Sequence, residues 1–218
     1  MIVVIDGPAG SGKSSTARAV AHELNIQYLD SGALYRAVTY LFLESEQSLP
    51  KFFESLYSVQ LTFKFDNEFH VSLNGEVITE AIRDPKISLH VSGIAAMTKV
   101  REFINAIMKK AVQHGLYIAD GRDLGTAVFP NAKCKFFMTA DLETRAKRRR
   151  QELDSKGIQV SYSEVVAEIK RRDQIDSTRE EDPLKQADDA ILVDSSAFSF
   201  DEQVQYIVKK IKESIILE

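Results

Sequence analysis

A glycine-rich segment near the N-terminus constrains the fold of this chain more than any other feature. Residues 7–14 read GPAGSGKS and match the pattern G-x-x-x-x-G-K-S/T. A β-branched apolar run, 2–5, comes directly before it, and apolar residues then recur at helical spacing over 13–24. A strand, a glycine-rich loop and a helix in this order form a phosphate cradle, because backbone N–H groups and the helix N-terminus all point at the anion.

The residue types in this loop suit a nucleoside triphosphate. Lys13 is placed to reach the β- and γ-phosphates, and the hydroxyl of Ser14 is placed to ligate Mg²⁺. The alternative is a glycine-rich turn that binds nothing, but the pattern arises by chance in only about one chain in a hundred of this size. We therefore predict that the donor nucleotide contacts Gly7, Pro8, Ala9, Gly10, Ser11, Gly12, Lys13, Ser14 and Ser15.

The rest of the chain predicts an α/β fold. Alternation of apolar strands with helical stretches is typical of a parallel sheet covered by helices on both faces. The segment 59–78 differs, because its side chains alternate with period two around the turn signals Asp66-Asn67 and Asn74-Gly75, which predicts a small antiparallel insert. The core strands are expected at 2–5, 27–30, 116–120, 134–138 and 190–194.

Length and charge exclude several classes of protein. A chain of 218 residues buries a real core, as one domain with insertions or as two small domains. Its net charge of −4 argues against a broad nucleic-acid-binding face. The longest apolar runs fall short of the roughly 18 residues that span a bilayer. The N-terminus lacks secretory features and Cys134 is a lone cysteine, so we expect a cytoplasmic protein without membrane attachment.

Separated arginines point to a second phosphorylated ligand, because a guanidinium fork binds phosphate in bidentate fashion. A GTPase switch is disfavoured, since no N-K-x-D occurs and the single D-x-x-G, at Asp154, follows a helix. The spacing of Arg172, Asp176 and Arg179 places them at the end of one helical face, over a cleft. The alternative is a solvated helix end with an ordinary ion pair. The candidate arginines are Arg36, Arg101, Arg122, Arg172 and Arg179.

The sequence Asp120-Gly121-Arg122-Asp123 directly follows a predicted core strand. A carboxylate at this place in a nucleotide-binding fold can hold a water molecule of the Mg²⁺ shell, which is the role we expect for Asp120. A simple Asp-Gly turn at the end of a strand explains the same residues. Together with the phosphate cradle and the arginines, the segment favours a cleft for two phosphorylated molecules.

Six segments resemble the bacterial cytidylate kinase family, in the order in which that family carries them. The resemblance covers essentially the whole chain, and the second and fourth segments are far more specific than the phosphate loop. Two departures stand out: Ser14-Ser15 replaces Ser-Thr, and Met97-Thr98 stands where the family has a proline before Arg101. The segments are GPAGSGKSS (7–15), YLDSGALYRA (28–37), IRDPKISLHVSGIAA (82–96), ADGRDLGTAVFP (119–130), RAKRRR (145–150) and EIKRRDQIDSTR (168–179).

The resemblance implies a P-loop nucleoside monophosphate kinase: a three-layer α/β fold with a five-stranded parallel sheet covered by helices, a small antiparallel insert and a short lid. The implied P-loop core comprises 1–30, 106–144 and 158–218. A monophosphate-binding region covers 31–105 and includes the β-rich insert 58–83. The lid is 145–157.

The resemblance also implies roles for individual residues. Ser31, Tyr35 and Arg36 belong to the monophosphate pocket, Ser92 lies near the cytosine, and Arg101 lies on the substrate. Arg122 and Asp123 form a substrate-binding pair, and Asp176 reads the ribose within the set Arg172, Asp176 and Arg179. The lid arginines Arg145 and Arg149 cover ATP. The residues implied to act on the transferred group are Lys13, Arg122, Arg172 and Arg179.

The implied reaction is ATP plus CMP, and also dCMP, to ADP plus CDP or dCDP, with Mg²⁺, in a monomer that binds no nucleic acid. One rival is a kinase of the same shape with another acceptor, such as UMP or shikimate. A second is a P-loop switch that hydrolyses ATP slowly and regulates a partner. A third, an RNA-binding protein, rests only on the basic run 145–150, which acidic residues flank on both sides.

Overall fold

The computed structural model describes residues 1–46 and 48–216. Eight strands and eight α-helices are found in this part of the chain. The strands are β1 (Ile2–Asp6), β2 (Gln27–Asp30), β3 (Leu61–Phe65), β4 (Phe69–Leu73), β5 (Glu76–Val77), β6 (Tyr117–Gly121), β7 (Cys134–Thr139) and β8 (Ile191–Asp194). The helices are α1 (Lys13–Leu24), α2 (Ser31–Glu44), α3 (Leu49–Ser58), α4 (Pro85–Ala95), α5 (Thr98–Ala111), α6 (Leu142–Ser155), α7 (Tyr162–Thr178) and α8 (Phe200–Ile216).

Five strands form one parallel sheet in the order β2-β6-β1-β7-β8. β1 lies at its centre, and its residues Val3, Val4 and Ile5 are completely buried. A strand that is apolar on both faces needs helices on both sides of the sheet, which is what the alternating sequence provides. Because all five strands are parallel, their carboxyl ends meet at one edge, where β1 leads into the glycine-rich loop and β6 ends at Gly121.

The antiparallel insert predicted at 59–78 is present as a three-stranded sheet, β3-β4-β5. Its buried face carries Phe69, Val71 and Leu73, which belong to the same hydrophobic core as the parallel sheet. Phe69 packs edge-on against Tyr28 of β2, with ring centroids 5.8 Å apart. The insert is therefore attached to the edge of the main sheet rather than forming a separate core.

α6 and α7 pack against each other through a small apolar cluster of their own. Ala146 and Leu153 of α6 contact Val165 and Ile169 of α7, separately from the main core. The polar break after residue 155 is the turn between these helices. This pair contains the predicted lid, 145–157, although the division of the chain into core, monophosphate-binding region and lid stays a prediction.

The predicted core strands have the expected place. The last two helices begin with serine–glutamate caps, Ser161 with Glu164 and Ser199 with Glu202. α3 was not predicted. The fifth helix begins at Thr98, and Met97 precedes it with an extended backbone. The departure Met97-Thr98 is therefore accommodated as an ordinary helix start. No helix within 1–46 and 48–216 is long and apolar enough to cross a membrane.

Candidate active site

A cleft of about 810 Å³ opens at the carboxyl edge of the parallel sheet. The phosphate loop forms its floor, the segment after β6 one wall, and residues of α2, α4, α6 and α7 the remaining walls. Of the cations predicted from sequence, the cleft brings together Lys13, Arg36, Arg122, Arg149, Arg172 and Arg179. The volume is of the size expected for a small-molecule site.

The phosphate loop has its shape because two glycines meet conditions that other residues cannot. A Cβ on Gly7 would lie 2.1 Å from the carbonyl oxygen of Met138 in β7, so the loop leaves β1 in close contact with its neighbour. Gly12 precedes α1 with φ of +89°, in the left-handed region. The N-terminus of α1 lines the cleft through Gly12, Lys13 and Ser14. The first N–H groups of a helix have no partner within the helix and can bind an anion.

Lys13 is buried at the floor of the cleft, and its Nζ donates to the carbonyl of Pro8 at 3.2 Å. Burial, together with the nearby Arg122 guanidinium, lowers the pKa of Lys13 to about 7, while Asp120 acts in the opposite sense. A phosphate group placed beside Nζ would restore the positive charge, because an anion favours the protonated amine. The site is thus prepared for a highly charged ligand.

Ser14 and Asp120, the two residues predicted to hold Mg²⁺, lie in direct contact. The Ser14 hydroxyl donates to Asp120 Oδ2 at 2.6 Å, and Tyr28 donates to Oδ1 at 2.7 Å. A hydroxyl and a carboxylate are the oxygen ligands that Mg²⁺ takes alongside phosphate and water. Ser14 and Asp120 could therefore hold this ion; within the described residues there is no group of three or more His, Cys, Asp or Glu that could hold a metal by itself.

Arg122, Arg172 and Asp176 meet in one wall, which decides between the two interpretations of the end of α7. Arg122 Nε donates to Asp176 Oδ2 at 2.8 Å, and Asp176 is almost fully buried. Burial and the neighbouring Arg122 and Arg36 lower the pKa of Arg172 to about 10. Among the described residues its buried Nε finds no hydrogen-bond partner. The end of α7 is therefore buried in the cleft wall rather than solvated, although Arg172 does pair with Glu168 one turn earlier at 3.8 Å.

Arg179 and Asp123 belong to a ring of four charged residues. Asp123 accepts from Arg179 Nη2 at 2.7 Å and from Arg101 Nη2 on its other oxygen. Asp182 binds Arg101 through its carboxylate and Arg179 through its backbone carbonyl. Asp123 and Arg179 line the cleft. Arg101 is only 1% exposed and does not line it, so in this conformation it acts on the cleft through neighbours, above all through Asp123.

The predicted monophosphate pocket lies in the same cleft. Ser31, Tyr35, Arg36 and Ser92 all line it. The Ser31 hydroxyl donates to the backbone carbonyl of Asp120 at 2.6 Å, which ties α2 to the end of β6. Arg36 Nη1 donates to Ser88 of α4 at 2.9 Å. Two helices and a strand end therefore converge on these side chains.

The two predicted lid arginines differ in position. Arg149 lines the cleft and pairs with Glu152 at 2.8 Å. Arg145 is buried beneath the phosphate loop instead: its Nη1 donates to the Ala9 carbonyl at 3.1 Å and to Asp173 at 2.6 Å. It does not line the cleft, so in this conformation it supports the loop from below. The basic run is largely neutralised by carboxylates, through the pairs Arg145–Asp173, Lys147–Glu143, Arg149–Glu152 and Arg150–Asp154.

A sequence profile described as cytidylate kinase matches residues 3–213. The chain belongs to the cytidylate kinase family. It is 43% identical over 213 residues to the cytidylate kinase of Carboxydothermus hydrogenoformans, covering 96% of each chain. It is 44% identical over 214 residues to that of Clostridium botulinum strain Loch Maree, covering 96% of this chain and 97% of the relative. With the cytidylate kinase of Enterococcus faecalis the identity is 43% over 216 residues, with coverages of 97% and 95%.

Solved structures agree on the fold. TT1252 from Thermus thermophilus superposes with a TM-score of 0.52 at 16% identity, covering 98% of this chain and 96% of that one. A shikimate kinase from Bacteroides thetaiotaomicron gives 0.50 at 13% identity, covering 99% and 98%. Cytidylate kinases are enzymes that use ATP as phosphoryl donor, and the P-loop architecture described above is the one that such a family requires.

Sequence reasoning missed four polar residues around this cytidylate kinase cleft. Asp30 lines it and caps α2 by accepting from the Ala33 N–H at 2.9 Å. Burial and the nearby Asp120 raise its pKa to about 6. Arg148 lines the cleft, with its guanidinium held by Ser195 at 2.8 Å. Asp173 and Asp182 hold Arg145 and Arg101. Asp30 lies inside the specific segment 28–37 and could have been proposed; nothing in the sequence marks the pairing of the others.

Proposed function

We propose that this protein transfers the γ-phosphoryl group of ATP to CMP, and also to dCMP, giving ADP and CDP or dCDP. The observation that carries the proposal is the meeting, in one cleft, of the phosphate loop with Arg36, Arg122 and Arg172. A nucleotide triphosphate on the loop would face these arginines. The relatives of this chain that are named cytidylate kinase supply the identity of the acceptor.

The proposed chemistry needs no strong base. A monoester phosphate has a second pKa near 6, so at neutral pH the acceptor is mostly the dianion and already nucleophilic. Catalysis then consists of bringing two mutually repelling phosphates in line and stabilising the transferred group. ATP and CMP bring roughly six negative charges. Lys13, Arg122, Arg172 and Arg179 line the cleft and are proposed to offset them at the transferred group.

Mg²⁺ belongs to the proposal as well. When bound, it would offset two of the negative charges of the phosphates. Ser14 would hold it directly and Asp120 through water, which their contact of 2.6 Å supports. Tyr28 keeps the Asp120 carboxylate turned toward the loop by occupying its other oxygen.

Recognition of the base is proposed for Ser92 and Asp123. Cytosine presents an exocyclic amino group, which is a donor, beside ring acceptors. A carboxylate such as Asp123 can accept a hydrogen bond from the amino group, and the Ser92 hydroxyl can donate one to a ring acceptor. Both lie in the cleft wall and are almost fully buried. The family resemblance places Arg101 at the substrate, and we propose that it acts on the cytosine through Asp123. Asp176 would bind the ribose.

The pair α6–α7 is the proposed moving part. An open cleft would let water compete with the acceptor, so closure of the lid 145–157 over both nucleotides follows from the reaction. Arg149 lies in the cleft wall and its buried Nε finds no partner among the described residues, which supports a role in covering ATP. We also propose that the protein is a cytoplasmic monomer that binds neither nucleic acid nor membrane.

An acceptor panel tests this function. ADP release from ATP and Mg²⁺ is followed with CMP, dCMP, UMP, AMP, shikimate or no acceptor. The proposal expects turnover to be highest with CMP and small without an acceptor. Preference for shikimate would establish the rival kinase, and turnover that ignores the acceptor would establish the P-loop switch.

A further inference from the structure

Behind the cleft wall the chain contains a closed ring of two arginines and two aspartates. Asp123 accepts from Arg179 on one carboxylate oxygen and from Arg101 on the other. Asp182 closes the ring from the far side. Two positive and two negative side chains make the ring neutral. Asp123 and Arg179 face the cleft, whereas Arg101 and Asp182 do not line it.

Asp182 touches both arginines through different groups. Its Oδ2 accepts from Arg101 Nε at 3.1 Å and from Arg101 Nη2 at 2.9 Å. Its backbone carbonyl accepts from Arg179 Nε at 2.9 Å. The backbone of Asp182 is left-handed, with φ of +46°, a conformation that Asp, Asn and Gly tolerate best. The position of both guanidinium groups therefore depends on this one residue.

Arg101 has little freedom to replace a lost partner. Its side chain is 2% exposed, while that of Asp182 is 37% exposed. Its remaining contact is a long one, from Nη1 to the Ala95 carbonyl at 3.5 Å. A buried guanidinium that loses one of two carboxylates must draw on the other or leave donors unpaired. Loss of the Asp182 carboxylate would thus act on Asp123.

We propose that Asp182 is a positioning residue for the acceptor: by holding Arg101 and Arg179, it fixes the Asp123 carboxylate in the orientation that receives the acceptor nucleotide. The inference rests on the proposed function, because Asp123 is assigned there to the acceptor. Asp182 touches no substrate and acts only through the ring. The donor side of the cleft is independent of it, since Lys13, Ser14 and Asp120 lie outside the ring.

The test uses the full-length protein with Asp182→Asn and Asp182→Gly. Both residues accept positive φ, so the backbone contact to Arg179 is preserved while the charge, or the whole carboxylate, is removed. We expect the KM for CMP to rise about tenfold in the glycine variant and less in the asparagine variant, as for loss of a charged hydrogen bond. The KM for ATP and the kcat at saturating CMP should stay within about twofold.

Glu181→Gln is the matched control, because it removes one negative charge from the neighbouring, exposed position; its kinetics should equal the wild type. A fall in the KM for CMP would mean that Asp182 competes with the acceptor and would overturn the proposal. Equal rises in both KM values, or lower thermal stability with unchanged KM values, would show a structural role only and would also overturn it.

The wild-type protein keeps the two proposals apart. CMP binding by calorimetry and CMP turnover are measured on it first. Turnover with CMP, combined with wild-type kinetics in both Asp182 variants, would leave the proposed function standing and reject the role of Asp182. A wild-type protein that binds CMP without phosphorylating it would reject the function, and CMP affinity in the variants would then decide on Asp182. If it does not bind CMP at all, both proposals are rejected.

Discussion

The Ser14 hydroxyl donates a hydrogen bond of 2.6 Å to the carboxylate of Asp120, across 106 positions of sequence. The contact joins the N-terminus of α1 to the end of β6, at the floor of the cleft. In the proposed mechanism the same two oxygens hold Mg²⁺, one directly and one through water.

Ser14→Ala tests this pair. Without the hydroxyl the metal loses a direct ligand, so we expect the Mg²⁺ concentration for half-maximal activity to rise about tenfold. The measurement is a titration of CMP-dependent ADP release with Mg²⁺ at fixed ATP. Ser58→Ala, which removes a distant exposed hydroxyl at the end of α3, should leave the titration unchanged. An unchanged midpoint in Ser14→Ala would remove this residue from the metal site.

The depressed pKa of Lys13 predicts how the stability of the nucleotide-free protein depends on pH. Because burial lowers its pKa from 10.5 to about 7, between these values the unfolded chain binds more protons at this position than the folded one. Its contribution to the free energy of unfolding therefore rises with pH, by up to about 1 kcal/mol per pH unit.

Lys13→Met should abolish the rise of this contribution to the free energy of unfolding with pH, together with most CMP-dependent turnover. Urea unfolding at pH 7, 8 and 9 measures the stability of each protein, and the difference between Lys13→Met and wild type should change steadily across the series. Lys170→Met, the same substitution at an exposed position, should show a constant difference. A constant difference for Lys13→Met as well would contradict the assigned pKa.

Asp176→Ala should impair the ribonucleotide more than the deoxyribonucleotide. Asp176 is proposed to read the ribose, and it also holds Arg122 at 2.8 Å. We expect the KM to rise for both acceptors and by a further factor of about five for CMP over dCMP, the size of one hydrogen bond. Steady-state kinetics with CMP and with dCMP measure the two KM values. Equal rises in the two KM values would show that Asp176 only holds Arg122 and does not bind the ribose.

Gly7→Ala should destabilise the protein although it adds one methyl group. The new Cβ would lie 2.1 Å from the Met138 carbonyl oxygen, so β1 or β7 must shift. The expected loss is about 2 kcal/mol, as for other overpacked cores, measured by urea unfolding. Gly93→Ala is the control, because it lies in α4 with open space around it; it should be neutral or stabilising. Equal stability of the two variants would contradict the close approach.

The sequence predicted this fold well wherever local pattern decides structure. Strand β1 and the loop after it, the helix from Lys13 to Leu24 and the insert at 59–78 all follow from periodicity and turn residues. Helix α3 was missed, although Pro50 at its start and its apolar face are ordinary helix signals. The family resemblance supplied the candidate site residues, and among the arginines predicted for the site all but Arg101 and Arg145 line the cleft.

What the sequence could not supply is the pairing of charges between distant elements. Arg101 and Asp182 are separated by 81 positions, and Arg145 and Asp173 by 28. Each arginine carries the same five donors wherever it stands, so only the folded chain decides whether these face a substrate or a carboxylate. Arg101 and Arg145 were predicted to bind nucleotide, but in this structure both lie against aspartates.

The most direct test of the whole account is the fate of the transferred phosphoryl group. The purified protein is incubated with ATP labelled at the γ-phosphate, Mg²⁺ and CMP, and the labelled products are separated by chromatography. If the protein has the proposed function, the label moves into CDP, and it moves only when CMP is present. Label released as inorganic phosphate at the same rate with or without CMP would contradict it.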